Sequence, residues 1–522
     1  IRRLAWPAAV WLGAAAVLAV VWYRARHAAA TAQSIPGQST GFQVDYATGQ
    51  LLLGLVFIAL ALAAAALLYW APGSGADPTA PGARRWSLAR FGAAGLLPVL
   101  VATQALTLAV PFYPRTGRDT FYPATDVQTF LAANLGQQRF AGTWTAMFMG
   151  SESPRRLRAL TGHGFINEDF AALVRAIPDN PINYPTYLNL TARPEVAHSP
   201  VLDTLGVRYL VTSPRDPVFG TPHNATSDGG SQQLRPGATV TVPVPEAGPL
   251  RAVGFTPAAA YTPPAGPAQA RDWVAVTIRD ASGATVASAQ RLTLGIAAGQ
   301  PFLVPVAADR VAAGTRLTAE FTLHTAAPLT VATAAGPAAT APTALAVDTV
   351  SGGDDGLSLA HAGSSVIWDR LTAQPRIRWA SRAIVEPDQQ ARIGLLAGGV
   401  PADQVVLDAP GPAADGRPAS VQTTDDGTDR ISTTVDAQGS GYLVVADADQ
   451  VGWAATVDGR GTSLVHADQG VVAVPVPAGR HTVTLHYAAP YGNSGTWITV
   501  VAIVLLVAAA GATSWRRRVE TG

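Results

Sequence analysis

The chain has 522 residues, 48% of them hydrophobic and 14% charged, with a formal net charge of +1. That balance excludes a strongly basic, nucleic-acid-binding surface, and the absence of cysteine excludes both a disulfide framework and thiolate chemistry. The length allows about two to four domains, each large enough to be held by an apolar core alone.

Four apolar stretches, at 5–23, 51–70, 91–110 and 497–512, are predicted to cross a membrane. The 51–70 run carries no charge over about 20 residues, the length that crosses a ~30 Å hydrocarbon core. Trp and Tyr near the ends of several stretches suit interfacial anchoring. The first stretch has a second reading: Arg2 and Arg3, an apolar run and then Ala28-Ala29-Ala30 resemble a cleavable signal peptide. Its length, and Arg24 and Arg26 before the cleavage point, favour a span. Four spans place both ends on one side. Arg2, Arg3, Arg84, Arg85, Arg90, Arg516, Arg517 and Arg518 on that side, against Arg24, Arg26, Arg115 and Arg118 on the other, make it cytoplasmic. The expected localisation is therefore the cell membrane, multi-pass, with the lipid bilayer as a partner and residues 111–494 extracytoplasmic. A first residue Ile1 just ahead of a span predicts that the chain is the C-terminal portion of a longer one.

Residues 111–235 read as a mixed α/β region. A helix is expected at 125–135, capped by Thr125 or Asp126, with Val127, Phe130 and Leu131 on one face. A second is expected at 168–177, a buried strand at 206–212, and a Pro-, Gly-, Ser- and Asn-rich linker at 213–233. Residues 236–348 change character: short alternating runs at 239–244, 273–278, 285–289, 302–306, 315–323 and 329–332, parted by turns, predict a β-sandwich. Residues 349–494 read as β-rich, with 377–384 as one strand and 430–435 as another. At 441–487 five strands alternate with turn chemistry at Asp458-Gly459, Asp468-Gln469-Gly470 and Pro477-Ala478-Gly479, which predicts an antiparallel meander with one face buried. A last helix and basic tail close the chain at 495–522. The expected fold class is thus membrane α-helical spans plus a large extracytoplasmic β-rich (α+β) region, with a β-sandwich insertion and a C-terminal antiparallel meander.

The C-terminal run resembles the YfhO family of bacterial membrane proteins. The residues that carry the likeness are Gly452-Trp453 leading to Val457-Asp458-Gly459, the Val-Pro-Val-Pro-Ala-Gly run at 474–479 continuing to Val483, and Tyr487 before the last helix. Tyr122-Pro123, Phe130-Leu131 and Arg139-Phe140 are similar to the family as well, and 205–211 and 370–376 match weaker features. The likeness covers about 111–235 and 350–512, with 236–348 as a carbohydrate-binding-module-like or galactose-binding-like insertion. The resemblance implies a glycosyltransferase of the C superfold, or a partner of one. Such proteins take a polyprenyl-phosphate-linked sugar and modify cell-wall glycan on the outer face of the membrane. In that superfold the catalytic acid lies in the first outside loop, upstream of this chain, so the resemblance assigns no catalytic residue here. The alternative is a non-enzymatic envelope protein that binds glycan or scaffolds a complex.

Candidate chemistry is sparse. His163, His198 and His223 lack metal-ligand spacing, no metal site is evident, and the sequence leaves any cofactor unknown. Glu168-Asp169 has the composition of a general base, but also of a helix first turn, where the dipole favours acids anyway. In 111–126, Arg115 and Arg118 suit a lipid-linked phosphate through the guanidinium fork, while Tyr113 and Tyr122 suit sugar stacking or contact with the lipid-linked group. Interfacial anchoring explains the same residues. Tyr261 and Trp273 are candidates for glycan stacking, with packing in the core as the alternative.

Overall fold

The computed structural model describes residues 19–20, 22–23, 40–70, 83–112, 117 and 122–520, apart from 145, 148–149, 165, 185, 263–271 and 335–344. The chain divides into two compact units, 1–121 and 122–522.

In the first unit, Ala- and Leu-rich sequence with few breakers forms two helices that pack together, Thr40–Trp70 and Ala83–Phe112. Trp22 Nε1 donates to Thr48 Oγ1 at 3.1 Å. Among the described residues, no helix of the molecule is long and apolar enough to cross a membrane. That finding corrects the expected fold class. The long helices join apolar runs to polar ends: Arg84, Arg85 and Arg90 open the second, and Arg516, Arg517 and Arg518 close the last, Gly492–Glu520. The stretch 5–23 lies outside the described residues, save 19–20 and 22–23.

The second unit is mostly β-sheet. Its N-terminal part is a four-stranded sheet in the order Arg139–Gly142, Val207–Thr212, Val366–Arg370, Leu357–Ala362, the first pair parallel. The helix Asp126–Asn134 covers it through Val127 and Leu131, which pack with Phe140, Tyr209 and Ile367. Thr125 caps this helix in a reciprocal box with Gln128. The helix Glu168–Val174 is capped by Asn167, whose side chain accepts from the Asp169 N–H.

The six-stranded sheet lies between two cores. It runs Ile377–Ala380, Gly441–Ala448, Val471–Val476, Val465–Ala467, Gln404–Leu407, Arg382–Val385. Tyr442, Val444 and Ala446 enter one core, with Leu173, Val201 and Trp368; Leu443 and Val445 enter another, with Ile431, Val483 and Leu485. The expected single meander is therefore two layers. Trp453–Val457, Arg460–Thr462 and Gly479–Tyr487 belong to a separate five-stranded sheet with Ala419–Asp426 and Arg430–Ala437. Alternation reports two faces of a strand but not which sheet the strand joins, which is why sequence merged the layers. The turn chemistry does match the backbone: Asp458 and Gly459 both have positive φ, at 51° and 77°, as a type I′ hairpin needs. The 377–384 run is likewise two strands, at opposite edges of the six-stranded sheet.

Between these parts stand two four-stranded sheets facing each other across a shared core. One is ordered Thr285–Leu292, Trp273–Asp280, Leu317–His324, Thr239–Pro243; the other Phe302–Ala308, Leu250–Phe255, Val347–Ser351, Thr221–His223. Phe255 meets Phe302 and Phe321 at centroid distances of 5.6 and 5.7 Å, and all three rings are buried. Each such ring stabilises by about 1.5–3 kcal/mol through burial. The 213–233 segment, expected as a linker, contributes Thr221–His223 and most of the strand Ser227–Leu234, which pairs with Leu329–Ala334. Its polar composition reflects an exposed strand.

Candidate functional site

Strict alternation sends every second residue of the Trp273–Asp280 sheet outward. Val274, Val276 and Ile278 fill the core, while Trp273, Ala275, Thr277 and Arg279 face out. Register aligns the neighbours: Trp273 lies opposite His324 and Leu292, Ala275 opposite Thr322 and Gln290, Thr277 opposite Glu320 and Ser288. Thr239 and Thr241 extend the rows on the next strand. The Trp273 and His324 rings stack at 4.6 Å with an interplanar angle of 20°. Beside them Thr239 and Thr322 share a hydroxyl contact of 3.2 Å, and Arg279 and Glu320 pair at 3.7 Å. The result is a flat face with an aromatic pair at one end and rows of hydroxyls along it.

Tyr261 stands behind this face, not on it. It is 7% exposed, and its hydroxyl donates to Asp272 Oδ2. Asp272 also accepts from the Ala326 N–H at 3.1 Å, and its carbonyl from the Thr293 N–H at 3.0 Å. Burial and the Asp272 bond push the Tyr261 phenol up. Tyr261, a candidate for glycan stacking, is thus buried and hydrogen-bonded to the residue before Trp273. Tyr122 is 38% exposed, and its carbonyl accepts from Arg155 Nη2 at 3.0 Å. Tyr113, Arg115 and Arg118 lie outside the described residues.

A second cluster is ionic and enclosed. Arg139 and Arg376 both grip the Asp447 carboxylate, the latter at 2.7 Å. Arg376 and Arg158 share Asp426. Burial pushes the Asp447 carboxyl up, but Arg139 and Arg376 outweigh it and hold the group below its ordinary value. Gly206, at φ 67°, lets the chain pass so near that a Cβ there would lie 3.0 Å from Arg376 Cα. Arg370 is fully buried, donating to the carbonyls of Ala197, Val207 and Ser199 at 2.8–3.0 Å and pairing with Asp203 at 2.7 Å. Segments 205–211, 370–376 and 441–448, far apart in sequence, thus meet at one node. Every charge named in it is answered by another or by a carbonyl, which suits a weld between layers better than a reacting centre.

Of the other sequence candidates, His198 bonds the carbonyls of Pro194 and Asp355, His223 the Ser351 hydroxyl, and His163 the Thr186 hydroxyl. Among the described residues no group of three or more His, Asp or Glu side chains could hold a metal ion. Glu168 and Asp169 form the first turn of their helix. Sequence reasoning missed His324, whose place beside Trp273 is a matter of register. The outward Thr residues were legible in the alternation of 239–243 and 317–324.

No match is found among curated proteins. Among solved structures the chain is similar to arabinofuranosyltransferase AftD from Mycobacteria, at 13% identity over 52% of this chain and 14% of that one, with a TM-score of 0.13. It is also similar to an FMN-binding β-glucuronidase from Facaelibacterium prausnitzii, at 8% identity over 52% and 38% of the two chains, with a TM-score of 0.11. At such scores neither carries an argument, and this chain spans only 14% of the AftD structure's length. Residues 414–499 match the family described as "Bacterial membrane protein YfhO", so the C-terminal portion of the chain is similar to that family.

Proposed function

We propose that this chain is the glycan-handling part of a YfhO-like envelope protein that works as, or beside, a glycosyltransferase using polyprenyl-phosphate-linked sugar. The match of residues 414–499 to a bacterial membrane protein family supports the setting. The single observation that carries the glycan reading is the outward sheet face, with Trp273 stacked on His324 beside rows of Thr hydroxyls. Sugar rings present C–H faces and hydroxyl edges in alternation; an aromatic pair receives the first and hydroxyls the second. The two-sheet unit then acts as a carbohydrate-binding module that holds cell-wall glycan while chemistry proceeds elsewhere. Arg115 and Arg118, with Tyr113 and Tyr122, keep the role of contacting the lipid-linked phosphate or sugar. The face and the residues 111–494 around it are taken to lie on the outer side of the membrane.

Two experiments test this. Purified full-length chain should sediment with insoluble cell-wall glycan, and Trp273→Ala should release it; equal retention of the variant removes the sheet face from glycan binding. Separately, Ser227 is exposed in a polar strand, so a cysteine there should react with an impermeant maleimide in intact cells. Labelling only after lysis would reverse the sidedness. The rival, a scaffold without enzymatic context, is favoured instead if deletion of the protein leaves lipid-linked-sugar transfer in membranes unchanged.

A further inference from the structure

A cleft of about 430 Å³ opens between the short helix Pro200–Thr204, the turn holding Thr372 and Gln374, and the segment that follows Gly399. Its size falls within the about 300–1,000 Å³ typical of small-molecule sites. It shares no residue with the sheet face, and the inference drawn from it does not depend on that face.

The walls form for local reasons. The helix Gln389–Gly398 ends at Gly399, whose φ of 92° no side-chain-bearing residue adopts readily. The chain turns there and Gly399 passes Pro200 closely, so a Cβ on it would lie 3.6 Å from Pro200 Cβ. Val400 and Ala402 then continue the wall. On the opposite side Gln374 Nε2 donates to the Val400 carbonyl at 2.6 Å. That bond fixes which end of the amide is which, because the flipped amide would set oxygen against oxygen. Gln374 Oε1 is consequently a true acceptor, and it is buried with no hydrogen-bond partner among the described residues. Such an atom costs free energy unless a donor reaches it.

The neighbours share that character. Thr372 spends its proton on Asp203 Oδ1, at 2.8 Å, so its oxygen can only accept. Asp203 carries a charge, but the fully buried Arg370 answers it at 2.7 Å on the same oxygen, and Oδ2 retains accepting capacity. The cleft is therefore neutral in sum and rich in acceptors, its side-chain amide nitrogen already engaged with the Val400 carbonyl, with Pro200 and Val400 as apolar wall. An anion meets no unpaired cation among the lining residues, and a cation meets a carboxylate that is already paired.

We propose that this cleft binds an uncharged, donor-rich ligand, a sugar residue or comparable polyol, whose hydroxyls donate to Thr372 Oγ1 and Asp203 Oδ2. The test is saturation-transfer NMR on the purified full-length chain with the methyl glycosides of glucose, galactose, mannose and arabinose, and inorganic phosphate as competitor. A saturable signal from at least one glycoside is expected, undisturbed by phosphate. Ala402→Trp, which fills the cleft from an exposed wall position without touching the buried bonds, should weaken it at least about tenfold. Thr372→Val, which removes one hydroxyl, should weaken it about three- to tenfold. Trp273→Ala should leave it unchanged, which separates this site from the sheet face. Absence of a saturable glycoside signal overturns the proposal. So does displacement by phosphate, or a signal that survives Ala402→Trp in a protein that still melts cooperatively. Should that variant not fold, an unchanged affinity in Thr372→Val overturns the proposal by itself.

Discussion

Strands Gly441–Ala448 and Trp273–Asp280 are each eight residues long and equally regular, yet they have opposite fates. The first is buried on both faces between two cores, and its own Asp447 is clamped by two arginines. The second is buried on one face only and presents Trp273 and Thr277 outward. The difference teaches where binding chemistry can reside. A doubly covered strand commits its polar groups to holding layers together, whereas a singly covered one keeps them for a partner.

The comparison breaks most visibly at Asp447. Replacing it with alanine leaves the buried Arg139 without an ion-pair partner and Arg376 with Asp426 alone, which should cost about 3–5 kcal/mol. Chemical denaturation of the full-length chain should show a large fall in midpoint for Asp447→Ala. By contrast Thr277→Ala, on the open face, should stay within about 0.5 kcal/mol of the parent. Equal effects would mean that the layers are not welded by these charges. A second, smaller cost is expected for Gly206→Ala, about 1–3 kcal/mol, because the new Cβ has both a left-handed backbone and the Arg376 Cα to contend with. The same measurement checks it, and a neutral result would show that the Arg376 segment can withdraw.

The open strand should show the reverse pattern, with function lost and stability kept. Aromatic stacking beyond simple burial is worth about 0.5–1.5 kcal/mol, so Trp273→Ala should weaken glycan retention roughly three- to tenfold. Its melting temperature should move by only a few degrees, since the side chain lies on the outward face and is only partly buried. His324→Ala should give a smaller loss of the same sign. A variant that loses stability but retains glycan would place Trp273 with the core residues.

Much of this was legible in the sequence at the level of single elements. The capping box at Thr125 and Gln128, the Asp458-Gly459 hairpin and the one-sided alternation at 273–278 follow from local rules, and the backbone obeys them. What a string could not give is partnership. The strands between 441 and 487 alternate identically whether they join one sheet or two, and the choice is made by residues such as Ile431 and Val201, far away in the chain. Tyr261 and Trp273 look equivalent as aromatic residues, yet Asp272 takes the first as a hydrogen-bond donor and leaves the second facing out. The acceptor-rich cleft was invisible for the same reason, since Asp203, Gln374 and Val400 meet only when the layers close.

The smallest expected effect concerns Asp126, which ties its helix to the loop after Leu357–Ala362. Its carboxylate accepts from the Ser364 N–H at 2.9 Å, from the Ser364 hydroxyl, and bonds His361 Nε2 at 3.0 Å. Partial burial pushes the carboxyl up, but the Ser364 and His361 bonds outweigh it and bring the value from 3.8 down to about 2. A depressed carboxyl stabilises the fold above its unfolded value, and the contribution is lost as pH falls through the folded one. The window is therefore pH 4 to 2. Asp126 is 41% exposed at its side chain, so solvent screening reduces the contribution to less than about 1 kcal/mol. Between pH 4 and 2 the parent should lose slightly more stability than Asp126→Asn, while above pH 5 the variant should be the weaker of the two by a constant amount. Parallel curves across the whole range would show that these bonds do not favour the ionised form. Comparing the two proteins cancels the other carboxylates that titrate in the same window, so even a difference this small is assignable to the helix start.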